Sequence, residues 1–140
     1  MKYILTSIFL LLTIGIHAQS VTGKWQTIDD ETGKVRSVVE IYSDNGKVFG
    51  KIIEITDKSR QDRLCEACTG ANKDKPILGM VIIKDLEKDD DEWEDGTILD
   101  PESGKVYKCY ITLEETNKLK VRGFIGFSLL GRTQYWTRVQ

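Results

Sequence analysis

Histidine is almost absent from this sequence. Its 140 residues include one histidine, His17, which lies in the N-terminal segment. Histidine is the usual proton shuttle of enzymes and the commonest zinc ligand in proteins. This scarcity argues against serine–histidine, cysteine–histidine and HExxH chemistry. We therefore predict that the protein is not an enzyme and holds no metal or other cofactor.

A concentrated basic charge is also missing. The chain carries 20 Lys and Arg against 22 Asp and Glu, a formal net charge of -2. Basic and acidic residues are interleaved along the whole sequence instead of forming a basic block. Domains that bind nucleic acids usually concentrate Lys and Arg on one face, so we predict no nucleic-acid partner.

No apolar run reaches the roughly 20 residues that a membrane-spanning helix needs. The N-terminus has instead the pattern of a secretory signal peptide, with basic Lys2, a mostly apolar run at residues 4–16 and the small residue Ala18. No cysteine for lipid attachment follows this run. We predict a signal peptide over residues 1–18, no membrane span, and a periplasmic or secreted domain over residues 19–140.

The rest of the sequence is a succession of short β-rich runs separated by Gly, Asn, Asp and Pro. Eight strands are predicted, at residues 22–28, 36–43, 47–56, 77–84, 92–99, 105–113, 118–123 and 132–139. The short turns predict an antiparallel meander, and no sustained 3.6-residue apolar stripe supplies the helices of an α/β fold. We predict an all-β fold, an eight-stranded antiparallel up-and-down β-barrel, because closure removes exposed edge strands.

Two segments depart from the strand pattern. The long connection at residues 57–75 carries several Lys and Arg, which favours a solvated surface, with a lid or binding loop as the alternative. The apolar group between Phe124 and Gly131 predicts a plug against one barrel end, with an exposed patch for a partner as the alternative.

The cysteines divide into a close pair and a single residue. Cys65 and Cys68 lie in a polar loop of a predicted exported protein, which favours a local disulfide over a redox pair or a zinc site. Cys109 alternates in register with Tyr107 and Ile111, which predicts a buried thiol. The acidic tract at residues 87–95 has no EF-hand spacing and is interpreted as a solvated hairpin tip.

Two elements, one in the first and one in the last predicted strand, resemble a known signature. Gly23-Lys24-Trp25 in the first predicted strand and Arg138 in the last are similar to the signature of the calycin superfamily, which includes the lipocalins. The resemblance implies a lipocalin-like barrel in which Gly23, Trp25 and Arg138 are structural. In such barrels the arginine lies across the indole at the closed end, a cation–π contact.

A closer resemblance covers almost all of the chain after residue 18. The motifs CEACTG at residues 65–70, PILGM at 76–80 and VRGFIG at 121–126, followed by Gly131-Arg132-Thr133, resemble one family of small exported bacterial proteins. That family is known as domain of unknown function 2147 (DUF2147). The resemblance implies no specific activity, and it makes Arg132 a further structural candidate.

The barrel resemblance implies a function by analogy: binding of a small apolar molecule inside the barrel. The predicted lining residues, or their opposite-phase neighbours, are Val39, Ile41, Met80, Ile82, Tyr110 and Val121. The alternative is a barrel filled by its own side chains that contacts a protein partner in the cell envelope. An eight-stranded barrel is large enough for either arrangement, and the sequence leaves both open.

Overall fold

The strands form one closed antiparallel barrel in which each pairs with its sequence neighbour and the last pairs with the first. The computed structural model describes residues 20–127 and 129–140, so the predicted signal peptide lies outside the described residues. The strands are β1 (Gly23–Ile28), β2 (Val35–Asp44), β3 (Lys47–Ile55), β4 (Val81–Asp89), β5 (Glu92–Leu99), β6 (Val106–Glu115), β7 (Lys118–Phe124) and β8 (Gly131–Arg138). Two short 3₁₀ helices, Lys58–Arg60 and Gly70–Asn72, lie between β3 and β4. The predicted eight-stranded up-and-down barrel is confirmed.

The connections differ at the two ends of the barrel. Two-residue turns at 45–46, 90–91 and 116–117 close one end, which we call the closed end. At the first of these turns Asn45 and Gly46 have φ of 50° and 81°, the left-handed pair that a type I′ hairpin requires. Longer loops at 29–34, 56–80, 100–105 and 125–130 surround the other end, which we call the open end.

Strand β4 is displaced from its predicted position of residues 77–84. Residues 76–80 form a turn in which the Met80 amide donates to the Ile77 carbonyl at 3.1 Å. The strand then continues through part of the acidic tract, where Glu87 pairs with Glu94 and Asp89 with Glu92. The predicted strand at residues 77–84 was wrong at both limits. Its first residues belong to the turn, and tertiary pairing extends β4 at the other end through charged residues with low strand propensity.

The β4–β5 ladder bends near its middle. Asp85 and Asp95 have φ of 60° and 62°, so each strand has a left-handed residue inside the ladder. A Cβ on Gly96 would lie 2.2 Å from the Lys84 carbonyl oxygen, so only glycine allows the two backbones to approach this closely. This local irregularity increases the curvature that closure of a small barrel requires.

The interior near the closed end is filled. Trp25, Ile41, Leu86, Ile111 and Leu119 are at most 1% exposed and belong to one hydrophobic cluster. The alternation of β6 places Cys109 in the same cluster. Side chains of this group fill the barrel from the two-residue turns to about its middle, which leaves the open end as the place for a site.

Candidate functional site

A cavity of about 820 Å³ opens at the open end of the barrel. Its volume lies within the range of about 300–1,000 Å³ that is typical of small-molecule sites. The apolar side chains of its wall include Ile52, Ile55, Ile98, Tyr107, Val121 and Trp136. The large residues that fill the closed end do not line it, so the barrel interior divides into a packed half and a hollow half.

Polar side chains on the cavity wall bond to one another. The Thr27 and Ser37 hydroxyls lie 2.7 Å apart across β1 and β2. Trp136 Nε1 donates to Gln134 Oε1 at 3.1 Å, and Gln134 Nε2 donates to Asp30 Oδ2 at 3.2 Å. Because these groups already have partners, they do not require a polar group of an occupant to satisfy them.

The rim of the cavity carries a group of arginines, which we call the arginine cluster: Arg36, Arg60 and Arg63 around Glu102. Arg36 Nη2 contacts Glu102 Oε1, and Arg60 Nη2 and Arg63 Nη1 lie 3.5 Å and 4.0 Å from the same oxygen. All four residues line the cavity. The cluster joins the start of β2, the β3–β4 connection and the β5–β6 turn.

Two aspartates at this rim are held by local hydrogen bonds. The backbone N–H groups of Thr32 and Glu31 lower the pKa of Asp29, and Ser59 lowers the pKa of Asp57 through its hydroxyl and its backbone N–H. Both carboxyls therefore stay ionised at neutral pH. Each one stabilises the turn that follows it.

The β3–β4 connection is tied to the wall by its cysteines. Cys65 and Cys68 are joined by a disulfide with their Cα atoms 5.3 Å apart, and both are buried. Cys65 Sγ lies 3.3 Å from the Pro101 carbonyl oxygen, so the loop packs against the β5–β6 turn. The charged residues at 57–63 are mostly exposed, as predicted, but Arg60 and Arg63 also reach the cavity rim.

The residues predicted to line a binding cavity have different locations. Ile82 and Val121 line the cavity and also belong to the buried core. Val39 and Ile41 belong to the buried core, and Met80 is buried in the turn before β4. A binding role for any of them stays a prediction.

For Tyr110 the predicted inward position is wrong. Cys109 and Ile111 are buried in the core on either side of it, so Tyr110 points to the outer face of β6. There its ring lies 6.2 Å from that of Phe124, with Lys120 Nζ at 5.5 Å. The choice of strand face caused the error, because both faces of β6 carry apolar or aromatic residues.

Several cavity residues were not predicted as ligand-binding positions. Ile55 and Ile98 lie near strand ends that meet the long loops, and Gln134 lies within β8. The only sequence signal for them is the unequal length of the connections, which identifies the end of the barrel that has room for a cavity.

Three of the residues predicted as structural, Gly23, Trp25 and Arg138, lie together at the closed end. The Arg138 guanidinium lies 4.2 Å from the centroid of the Trp25 ring and donates to the carbonyls of Thr116, Thr22 and Ser20 at 2.8–3.0 Å. A Cβ on Gly23 would lie 2.7 Å from Arg138 Nη1, so a larger residue would displace the guanidinium.

Arg132 belongs to the other end of the molecule. It is exposed and pairs with Asp30 at 2.8 Å beside the cavity. Arg132 therefore lies at the rim of the cavity and not in the packed interior.

The β7–β8 connection at residues 125–130, which we call the apolar loop, projects from the open end. Its side chains Ile125, Phe127, Leu129 and Leu130 are 62–89% exposed. The predicted plug is therefore wrong, because these side chains are exposed instead of being buried in the barrel end. Ile125 and Leu130 lie at the cavity mouth, which connects this exposed surface to the interior.

Among the described residues, the chemically reactive groups are few. Cys109 is a free thiol, and its burial raises its pKa to about 12. Within residues 20–127 and 129–140, no three His, Cys, Asp or Glu side chains are grouped so that they could hold a metal ion. In the same part of the chain, no helix is long and apolar enough to cross a membrane.

Comparisons with known proteins agree with this architecture. The sequence pattern of a family described as "Uncharacterized protein conserved in bacteria (DUF2147)" matches residues 23–138. A solved structure described as "Protein HP1028 from the human pathogen Helicobacter pylori belongs to the lipocalin family" is similar, with a TM-score of 0.78 and 21% sequence identity over 88% of this chain and 85% of that chain. At this identity the likeness shows the fold alone. No curated protein sequence matches the chain.

Proposed function

The chain belongs to the bacterial DUF2147 family, and from that premise we propose that it binds a small apolar molecule in the cavity of its lipocalin-like barrel. The observation that carries the proposal is the hollow half of the barrel, an open space of about 820 Å³ above a packed core. A protein that needed only a stable barrel would gain packing energy by filling this space.

The wall chemistry supports an apolar ligand. Ile55, Ile98 and Val121 present hydrocarbon to the cavity, and the wall hydroxyls of Thr27 and Ser37 already bond to each other. Removing apolar surface from water stabilises a complex by about 25 cal/mol per Å². A ligand that covers this wall gains affinity without having to satisfy buried polar atoms.

We propose binding rather than catalysis. The described cysteines offer no ready nucleophile, since Cys65 and Cys68 are joined and Cys109 is buried with its pKa raised to about 12. The ionised Asp29 and Asp57 are already hydrogen-bonded within their own turns.

A periplasmic or secreted location is part of the same proposal. It is supported by the signal-peptide pattern of residues 1–18 and by the Cys65–Cys68 disulfide, because disulfides persist in oxidising compartments. Fractionation of the host cell, with the N-terminus of the purified protein sequenced, tests it. Recovery of the uncleaved chain in the cytoplasm would contradict it.

The first test of the binding function is a native mass spectrum of the protein purified from its own host, recorded before and after denaturation. A mass excess that is lost on denaturation would identify a carried ligand. The recombinant protein is then titrated with a neutral environment-sensitive dye such as N-phenyl-1-naphthylamine, and saturable fluorescence is expected.

A size-increasing substitution tests where the dye binds. Ile55→Trp narrows the cavity, and dye affinity should fall about tenfold or more, while the unfolding free energy changes by about 1–2 kcal/mol. Glu54→Trp is the matched control, because Glu54 is the exposed neighbour on the same strand. Equal dye binding by both variants and the parent would place the dye outside the cavity and contradict the proposal.

The apolar loop favours a second candidate function, contact with a protein partner in the cell envelope. Phe127 and Leu129 are 83% and 89% exposed, and isolated proteins seldom expose several large apolar side chains together. A photo-crosslinking amino acid at position 127 tests this in the host cell. A discrete adduct that is absent when the crosslinker is at exposed Lys88 would support it, and adducts from neither position would contradict it.

A further inference from the structure

Three guanidinium groups of the arginine cluster share one carboxylate oxygen. Each guanidinium has five N–H donors, and Glu102 Oε1 cannot accept from all of them. Within residues 20–127 and 129–140, Glu102 is the only acidic side chain within 4.0 Å of Arg60 or Arg63, at 3.5 Å and 4.0 Å. Most donors of these two arginines therefore face the cavity mouth and solvent without a close anionic partner.

Neither Asp29 nor Asp57 replaces that partner. Asp29 Oδ2 lies 3.7 Å from Arg36 Nε, while its Oδ1 accepts two backbone N–H groups at 2.9 Å. Asp57 Oδ1 accepts the N–H and the hydroxyl of Ser59 at 3.0 Å and 2.6 Å. Arg36 thus has acidic partners on two sides, whereas Arg60 and Arg63 are the under-partnered members of the cluster.

The position of the cluster connects it to the cavity. Arg60 and Arg63 line the mouth, and Ile55 and Ile98 line the same cavity. The planar guanidinium fork matches the two oxygens of a carboxylate or phosphate. A molecule whose hydrocarbon part lies in the cavity would place a polar head near this rim.

We infer that the ligand is an anionic amphiphile, whose carboxylate or phosphate head binds Arg60 and Arg63 while its apolar chain occupies the cavity. The inference rests on the proposed binding function and names the chemical class of the ligand. Glu102 holds the guanidinium groups together in the unliganded protein, and the head of the ligand competes with it for their N–H donors.

The test displaces the neutral dye with matched amphiphiles that share a dodecyl chain. Dodecanoate and dodecyl phosphate should displace it at concentrations about tenfold or more below that of dodecanol, because each charged head gains charge-assisted hydrogen bonds. Dodecyltrimethylammonium should be weaker than dodecanol. The carboxylate and phosphate arms show which head the cluster prefers, and all titrations use concentrations below micelle formation.

Two sets of variants assign the preference to the cluster. The double variant R60Q/R63Q should lose the preference for the anions and bind dodecanol as before. The charge-matched control K24Q/K88Q should keep the preference for the anions, since Lys24 and Lys88 are exposed and lie outside the cavity. Glu102→Gln should bind the anions about threefold to tenfold more tightly, because it removes the competing carboxylate. A purely structural Glu102 would give no gain.

The outcomes separate the two proposals. If the dye binds but dodecanol displaces it as well as dodecanoate and dodecyl phosphate do, the inference is wrong and the apolar binding function stands. If neither the dye nor any amphiphile binds, the binding function itself fails. The head-group series on the parent protein and the Glu102→Gln variant decide the matter even if R60Q/R63Q does not fold.

Discussion

The closed and open ends of this barrel are built from the same strands but differ in what the inward side chains do. At the closed end Trp25, Ile41 and Leu119 are at most 1% exposed and leave no space between them. At the open end Ile98 and Tyr107 are only partly buried and surround a cavity. The difference shows that the packed core and the cavity lie at different heights along the barrel axis, so substitutions at the two ends should have different consequences.

The largest expected effect is at the tryptophan of the closed end. Trp25→Ala should lower the free energy of unfolding by about 3–5 kcal/mol, because it leaves a cavity and removes the hydrogen bond from Nε1 to the Val21 carbonyl. Urea denaturation followed by circular dichroism measures it. Tyr107→Ala at the open end should cost about 1–2 kcal/mol, since this side chain already borders empty space. Equal losses would contradict the division between the ends.

Removal of the Arg138 guanidinium should have the next largest effect. Arg138→Met keeps much of the apolar stem but loses the contact with Trp25 and three hydrogen bonds to carbonyls, and we expect a loss of about 2–3 kcal/mol. Arg132→Met is the matched substitution at the open end and should cost less than about 0.5 kcal/mol, because its ion pair with Asp30 is exposed. Thermal and urea unfolding of both variants measure the two losses. An equal loss of unfolding free energy in Arg132→Met and Arg138→Met would contradict the expected difference.

A pH-dependent effect is expected where the packed and hollow halves meet. Cys109 pairs with Gly96 and Gly123, and burial raises its pKa to about 12 from an ordinary value of 9.0. The neutral thiol is favoured by folding, so its contribution is complete below pH 9 and is lost as the pH rises towards 12.

The measurement compares urea unfolding of the parent and of Cys109→Ala at pH 8 and pH 10.5. The parent should lose on the order of 2 kcal/mol more than the variant over this interval. Alkylation supplies a second measurement, in which Cys109 reacts only after unfolding. Rapid labelling of the native protein would show that the boundary between the two halves is open to solvent.

The smallest effect is expected in the apolar loop. The double substitution Phe127→Ser and Leu129→Ser should change the unfolding free energy by less than about 0.5 kcal/mol, because both side chains are exposed. Leu119→Ser, in the packed half, should cost more than about 3 kcal/mol. Urea unfolding measures both, and a large loss from the loop variant would mean that the loop packs on the barrel.

The fold was predictable because its signals are local. Alternation along each strand and turn residues such as Asn45-Gly46 are contained in short windows of sequence, and they are sufficient for a meander that closes. The limits of β4 were missed because pairing with β3 at its start and with β5 at its end, rather than local propensity, sets them.

The site was less predictable because it depends on contacts between distant residues. Arg36, Arg60 and Glu102 come from separate elements and meet only when the barrel has closed. Period-2 alternation also cannot decide which face is inward when both carry apolar or aromatic residues, as the misplaced Tyr110 shows. Nor does the alternation indicate which residues of the buried core also border the cavity, as Val121 does and Val39 does not.

The seam between β1 and β8 consists of two register pairs, Trp25 with Arg138 and Gln26 with Thr137. It joins the first strand of the barrel to the last, which lies almost the whole described chain away in sequence. Adjacent hairpins can form as the chain is synthesised, but Trp25 receives its covering guanidinium only after residue 138 has been added. The barrel cannot close until its last strand has been made, so every shorter chain keeps an open seam beside β1.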